Sequence, residues 1–369
     1  MKFTIDKKNF IFGLQNAQNV ADRKSTMPIA SNVLIKCMGE KIECSATNLM
    51  VSVKTFLEGE TESNGGITAS AKTIYDLVKS LPDDNELKVV FSTTDSNTAC
   101  IDAGRVHFEV LGMSDEDFPS FPDNKKKEFK TVDGGILNNL LSKVYFSILP
   151  EETRPHLNAA FIQVEGSTLR AVSTDGHRLS KAEAEVGNSF SLEKPILIPR
   201  RGVQEIRKVL ESSTGDIEIA VSDKYVFLKN QSLIMAVRLT DEKFPPYEEV
   251  IPKDLNKKVV VERTAFLDAL RRVSLLSAEK TRGIRIRLDS GKMDVLSRNP
   301  DMGEAREEIE ASYEGEEFTV AFNSRYFSEL LSEMEGEEII MEFGEELDPC
   351  LIKPVDSDDY MGVIMPLRF

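Results

Sequence analysis

The feature that most constrains this chain is an internal repeat with a period near one-third of its 369 residues. Ile5 and Asp6, followed by Phe10, Leu14 and Ala17, recur as Val132, Asp133, Leu137, Leu141 and Val144. They recur again as Val261, Glu262, Phe266, Leu270 and Val273. Each copy reads as a strand end, an acid suited to a helix N-terminus, and apolar positions at helical spacing. A second helix keeps step: Ile74, Leu77 and Leu81 match Val203, Ile206 and Leu210, then Phe327, Leu330 and Met334. Apolar strands precede it (67–69, 196–198, 318–320) and follow it (87–91, 217–221, 339–343). A strand-turn-strand unit lies between the two helices of each copy. The first two copies close on similar phrases, Glu116-Asp117-Phe118-Pro119 and Glu242-Lys243-Phe244-Pro245.

The pattern predicts an α+β chain of three repeated domains, each with two helices packed on antiparallel strands. Boundaries are expected in the Pro-Asp-Asn-Lys-Lys-Lys stretch at 122–127 and the Ile-Pro-Lys-Asp stretch at 251–254, giving domains 1–126, 127–252 and 253–369.

Acidic residues outnumber basic ones, 62 to 46, for a net charge of −16. Bulk charge alone argues against a nucleic-acid partner, because a surface that binds the phosphate backbone must be positive. The placement of the bases reverses that argument. Opposite the apolar stripe of the second helix lie Lys72 and Lys79 in the first copy, Arg201 and Lys208 in the second, and Arg325 and Ser332 in the third. The first helices add Lys8 and Arg271. Any one solvated helix carries Lys and Arg, but three related domains presenting the same face form a continuous basic surface. The excess acid then lies elsewhere, in residues such as Glu304, Glu307, Glu308, Glu310, Glu314, Glu316 and Glu317.

Other classes find little support. No run of ~18 uncharged apolar residues occurs and the N-terminus lacks an apolar signal core, so a soluble, cytoplasmic protein is expected. Cys37, Cys44, Cys100 and Cys350 show no CxxC pairing, which suits a reducing compartment and argues against zinc. There is no P-loop, GxGxxG or HExxH pattern, and His occurs only at 107, 156 and 177. The acidic clusters Asp115-Glu116-Asp117 and Asp356-Ser357-Asp358-Asp359 read as polar turns rather than a two-metal centre. Ser173, Asp175 and His177 sit in one turn, where a hydrolytic triad would need a different geometry. Neither an enzyme nor a cofactor is expected. A nuclease or polymerase subunit with its own metal centre, and a pure peptide-binding scaffold, are the competing readings.

Several phrases carry a family resemblance: Ser173-Thr174-Asp175-Gly176-His177-Arg178-Leu179, Phe244-Pro245-Pro246-Tyr247, Glu279-Lys280-Thr281-Arg282-Gly283 and Val363-Ile364-Met365-Pro366-Leu367-Arg368-Phe369. Met1-Lys2-Phe3-Thr4 and Met27-Pro28-Ile29 match too. Together with the repeat they resemble the β subunit of bacterial DNA polymerase III, the sliding-clamp family, over the whole chain.

The resemblance implies a head-to-tail homodimeric ring of six clamp domains around duplex DNA, a processivity factor of the polymerase holoenzyme. Twelve helices at ~10 Å spacing would leave a bore of ~28 Å, wider than the ~20 Å of a duplex. The candidate DNA contacts are Lys24, Lys72, Lys79, Arg200, Arg201, Lys208, Arg271 and Arg325. The resemblance further implies a groove for short peptides of the replicative polymerase, clamp loader and other DNA-handling proteins. Its matching positions are Arg154, Leu157, Thr174, Gly176, His177, Arg178, Leu179, Pro245, Val250, Asn323, Tyr326, Val363, Met365, Pro366, Leu367 and Arg368. For the dimer it implies Arg105, His107, Phe108 and Val110 against Leu275, Leu276, Glu304 and Glu307. Two departures stand out: Glu249, where many relatives carry a base, and Pro155-His156, where some carry aromatics.

Overall fold

The computed structural model describes all residues except 23–26, 85, 126, 152, 188–189, 213–214, 254 and 369. The first repeat runs β1 (Lys2–Asp6), α1 (Lys7–Val20), β2 (Asn32–Met38), β3 (Lys41–Thr47), β4 (Val51–Leu57), β5 (Glu60–Ser63), β6 (Gly65–Ser70), α2 (Ala71–Ser80), β7 (Lys88–Thr93), β8 (Thr98–Ala103) and β9 (Val106–Leu111). The second runs β10 (Lys130–Asp133), α3 (Gly134–Tyr145), β11 (Ala159–Glu165), β12 (Thr168–Thr174), β13 (Arg178–Glu185), β14 (Ile196–Pro199), α4 (Arg200–Glu211), β15 (Asp216–Val221), β16 (Tyr225–Lys229) and β17 (Leu233–Arg238). The third runs β18 (Lys257–Glu262), α5 (Arg263–Val273), β19 (Gly283–Asp289), β20 (Lys292–Asn299), β21 (Gly303–Glu310), β22 (Phe318–Asn323), α6 (Ser324–Glu333), β23 (Glu338–Phe343), β24 (Cys350–Pro354) and β25 (Tyr360–Ile364). Among the described residues, β5 alone lacks counterparts.

The repeated apolar positions are the core. Phe10, Leu14, Ala17 and Val20 of α1 are buried, and Phe10 packs edge-on to Phe3 and Phe91. In the third repeat Phe266, Phe322, Phe327 and Phe343 pack in the same way. The second helices bury a wider stripe than predicted, because Val78, Val209 and Leu331 turn inward too, while Leu77 is only half-buried.

The repeated acids differ from a capping role. Asp6 and Glu262 occupy N-cap positions but cap no helix amide: Glu262 accepts instead from the Thr264 hydroxyl, and Asp6 pairs with Lys88 at 3.1 Å. The next residue is the structural device. Lys7, 7 % exposed, reaches back to cap the chain leaving α2, its Nζ donating to the Leu81 and Pro82 carbonyls at 2.8 and 3.1 Å. Arg263 repeats this at the end of α6, donating to the Leu331 carbonyl in its last turn at 3.2 Å and to the Gly336 carbonyl beyond it at 2.9 Å. A cation suits those orphan carbonyls electrostatically. In the second repeat the position is Gly134, where a Cβ would lie 2.7 Å from the Gly215 carbonyl oxygen. Lys7→Met should lower unfolding stability by about 2 kcal/mol, the loss expected for charged hydrogen bonds to buried carbonyls. A urea midpoint that falls with unchanged slope would register it; exposed Lys8→Met is the control.

The sheets do not respect the repeat. One eight-stranded antiparallel sheet has the order β10-β15-β16-β17-β4-β3-β2-β6, and another β14-β11-β12-β13-β25-β24-β23-β18. Each joins the tail of one repeat to the head of another. Accordingly the chain forms two compact units, Met1–Gly134 with Gln204–Leu239, and Gly135–Val203 with Thr240–Phe369. A five-stranded sheet, β5-β1-β7-β8-β9, and a four-stranded one, β21-β20-β19-β22, complete them.

The two joins share one register. At the first, Ile234, Met235 and Ala236 face Lys54, Val53 and Ser52. At the second, Met361, Gly362 and Val363 face Lys181, Ser180 and Leu179. Met235 and Gly362 hold the same repeat position, opposite Leu228 and Ile352 of the preceding strand. Val53 and Ser180 likewise lie opposite Ala46 and Ser173. By the same count β9 is the counterpart of β17 and β25, and β21 of β4 and β13. Yet β9 and β21 each have a single ladder neighbour among the described residues.

Candidate functional site

The peptide-groove residues implied by the resemblance all fall within the second unit. Their centre is the β12–β13 turn. Thr174 Oγ1 donates to the Arg178 carbonyl at 2.6 Å and accepts from the Gly176 amide at 3.1 Å. Asp175 Oδ1 accepts from the His177 and Arg178 amides at 2.9 and 3.1 Å, an Asx-type clasp. Gly176 has φ +90°, which a residue with a Cβ adopts only under strain. The turn is therefore fixed by its own side chains.

Arg178 is 7 % exposed, and each of its three guanidinium nitrogens is hydrogen-bonded. Nε donates to Asp175 Oδ2 at 3.0 Å, Nη2 to the Phe146 carbonyl at 2.6 Å, and Nη1 to Glu329 of α6. The group is flanked by the Phe146 and Tyr326 rings, 5.0 and 4.7 Å away, and His177 stacks on Tyr326. Burial pushes the Tyr326 phenol up from its ordinary value.

Below the turn, Val172, Leu179, Tyr247 and Val363 form a buried apolar cluster, lined by Phe161, Phe244, Ile251 and Leu351. Burial pushes the Tyr247 phenol up to about 12. The chain end is stitched over this floor: the Met365 amide donates to the His177 carbonyl at 2.9 Å, and the Leu367 amide to the Ala321 carbonyl at 2.8 Å. Leu157 is buried, its amide bonded to the Arg154 carbonyl. Exposed around the site are Arg154, Gly176, His177, Val250, Met365 and Arg368, with Pro245, Asn323, Pro366 and Leu367 half-buried. Asn323 also caps α6 through the Arg325 amide, at 3.0 Å. Glu249 is exposed on a short 3-10 turn, and Pro155 is exposed beside half-buried His156.

Sequence reasoning omitted Asp175, Phe146 and Glu329 from this site. Asp175 stood inside the phrase 173–179 that carries the resemblance. The spacing of Arg325 and Glu329 was legible as a helical pair, but nothing in the sequence joins Glu329 to Arg178, 151 residues away.

The basic helix positions separate into two groups. Lys72, Lys79, Arg271 and Arg325 are exposed. Arg200, Arg201 and Lys208 are half-buried: Lys208 pairs at 3.0 Å with Glu205, itself 1 % exposed, and Arg200 stacks on Tyr145 and donates to its carbonyl at 2.9 Å. The helical wheel placed Arg201 and Lys208 outward; α4 is instead buried on a second side as well, through Glu205 and Val209. Lys24 lies outside the described residues.

The β9 and β21 edges, whose counterparts in the other repeats are paired, carry the dimer candidates. On β9, Val106, Phe108 and Val110 are half-buried while His107, Glu109 and Leu111 face out. Hydrogen bonding to Asp102, 2.6 Å away, and to Glu109 raises the His107 imidazole above its ordinary value. Arg105 is exposed in the hairpin turn. On β21, Ala305 and Glu307 are half-buried and Glu304 and Arg306 exposed. Glu307 chelates Arg272 at 2.6 and 2.9 Å, which holds its carboxyl below the usual range. Leu275 beside it is 75 % exposed and Leu276 half-buried. The acidic clusters are loops: Asp115 pairs with Lys36 and Asp358 with Lys353.

Three family models match the chain in sequence: the N-terminal domain of the DNA polymerase III beta subunit over residues 1–122, its central domain over 131–246, and its C-terminal domain over 248–368. The beta sliding clamp of Caulobacter vibrioides is 33% identical and that of Pseudomonas putida 31% identical, with both chains covered completely. Among solved structures, Caulobacter crescentus pol III beta superposes with a TM-score of 0.93 at 32% identity. A Bartonella birtlesii sliding clamp bound to griselimycin superposes with 0.94 at 31%. Both cover the whole of each chain.

Proposed function

Because the chain belongs to the DNA polymerase III beta-subunit family, the non-catalytic sliding clamps of replication, we propose that it closes into a ring with a second copy of itself. The observation that carries this is the shared register of the two internal joins. Applied to the remaining edges, it pairs β9 of one copy with β21 of the other, Phe108 opposite Ala305, His107 opposite Arg306 and Val106 opposite Glu307. Phe108 and Ala305 are both half-buried on their own sheets, so the same faces meet. The contact is heterologous, and because each copy offers one edge of each kind, a ring of two copies makes it twice. Leu275 and Leu276 extend its apolar part, and Arg105 is brought to Glu308.

With domain boundaries near residues 126 and 252, the ring carries six clamp domains. Lys8, Lys72, Lys79, Arg271 and Arg325 supply phosphate contacts to duplex DNA without base readout. The groove takes short peptides from the polymerase catalytic subunit, the clamp loader and other DNA-handling proteins, anchored on Leu157, Leu179 and Val363 with Met365 as an adaptable lid. All four cysteines are free and buried, which fits a cytoplasmic site of action.

A pair of cysteines tests the join. The Phe108→Cys, Ala305→Cys chain should oxidise to a covalent species of twice 41.3 kDa. Phe108→Cys with Arg306→Cys, one position out of register, points the thiols to opposite faces and should not. Preferential crosslinking of the second pair would refute the register, and a native mass of one chain would refute the ring.

A further inference from the structure

Glu329 touches both candidate surfaces of the second unit. Its Oε2 accepts from Arg178, which holds the groove wall, and its Oε1 accepts from Arg325 Nε at 2.7 Å on the exposed face of α6. Arg178 in turn is tied to Asp175, whose other oxygen clasps the His177 and Arg178 amides. A continuous chain of charged hydrogen bonds thus runs Arg325–Glu329–Arg178–Asp175 to the turn that walls the groove. The two guanidiniums that share Glu329 differ in exposure: the Arg325 side chain is 55% accessible and that of Arg178 7%. Arg325 can leave its partner for a solvent-borne anion, and Arg178 cannot.

We propose that Glu329 is a positioning residue through which duplex DNA at Arg325 tightens peptide binding in the groove. The inference rests on the reading of the groove and of the basic helix faces given above. A phosphate that engages Arg325 removes one of the two guanidiniums competing for Glu329. The carboxylate charge then falls on Arg178 alone, the Asp175 clasp is held more firmly, and a peptide meets a wall already ordered. Linkage makes the effect reciprocal: a bound peptide favours the state in which Arg325 is free for phosphate. The link joins the phosphate-facing helix and the partner groove within one subunit.

The test measures the affinity of the intact dimer for a fluorescent clamp-binding peptide from the replicative polymerase catalytic subunit, with and without a short DNA duplex at low salt. In the unaltered protein the duplex should tighten the peptide about fivefold, within the usual range of coupling between sites. Glu329→Gln should bind the peptide more weakly and bring the ratio to about one, because the neutral amide no longer draws either guanidinium. Arg325→Gln should bind the peptide tightly without DNA and respond no further, having released Glu329 in advance. A structural role alone would change the affinity and leave the ratio intact. A duplex response that survives in Glu329→Gln, or in Arg325→Gln, overturns the coupling while leaving the groove in place. A peptide that does not bind the unaltered dimer overturns the groove reading and the coupling with it.

Discussion

Loaded onto a closed circular duplex, the protein should remain with it at high salt and leave when the circle is cut. Phosphate binding alone cannot produce that pattern, because it weakens as salt rises, by a slope of about 0.9 in log affinity against log salt for every phosphate neutralised. A ring held by its own closure is indifferent to salt once it surrounds the DNA. A bore of ~28 Å, as the resemblance implies, would exceed the duplex, so the basic side chains would guide without gripping. Two variants separate the ingredients. Lys72→Glu, Lys79→Glu and Arg325→Glu together should slow loading at every sequence and flatten its salt dependence, with the loaded ring still retained. Phe108→Asp with Leu275→Asp places charges on both edges of the join, and should yield single chains retained on neither circle nor line. Equal retention on circular and linear DNA by the unaltered protein would refute topological binding.

What the sequence made legible was whatever depends on local periodicity. The three-fold recurrence of Phe10, Leu137 and Phe266, with that of the second helix, marks the α-helices, and alternation marks the strands between them. Which strand edges pair is a different kind of information. The period of two decides which face of β4 or β17 is buried, but says nothing of the neighbour that covers an edge, so the cross-repeat sheets were not foreseeable from pattern. The same limit explains α4. A wheel drawn from Val203, Ile206 and Leu210 leaves Lys208 opposite the core, yet Val209 and the buried Glu205 show a helix covered on two sides. The proposed groove came only from the resemblance. Its residues run from Arg154 to Arg368, and the mutual support of Asp175, Arg178 and Glu329 exists only once β13, β25 and α6 have come together.

That assembly also decides what the chain end does. Met365, Pro366 and Leu367 follow β25, whose pairing with β13 and β24 ends at Ile364. The two backbone bonds to His177 and Ala321 hold the segment in place, where an unanchored terminus would fray. Removing residues 365–369 therefore cuts no strand of the sheet and no residue of the β9 or β21 edges. The truncated protein should fold and keep a native mass close to twice 41.3 kDa. The proposed groove, however, loses Met365 and Leu367, whose amides bond to the His177 and Ala321 carbonyls. Anchors at such sites cost about 2 kcal/mol or more each on truncation, so losing Met365 and Leu367 should weaken a micromolar peptide about a thousandfold, to the edge of detection. Met365→Ala alone, which leaves both backbone bonds, should cost part of that. Titrating the polymerase peptide against each protein while recording its mass distinguishes the cases. Unchanged affinity in a dimeric truncation, or in Met365→Ala and Leu367→Ala combined, would show that the peptide is held somewhere else.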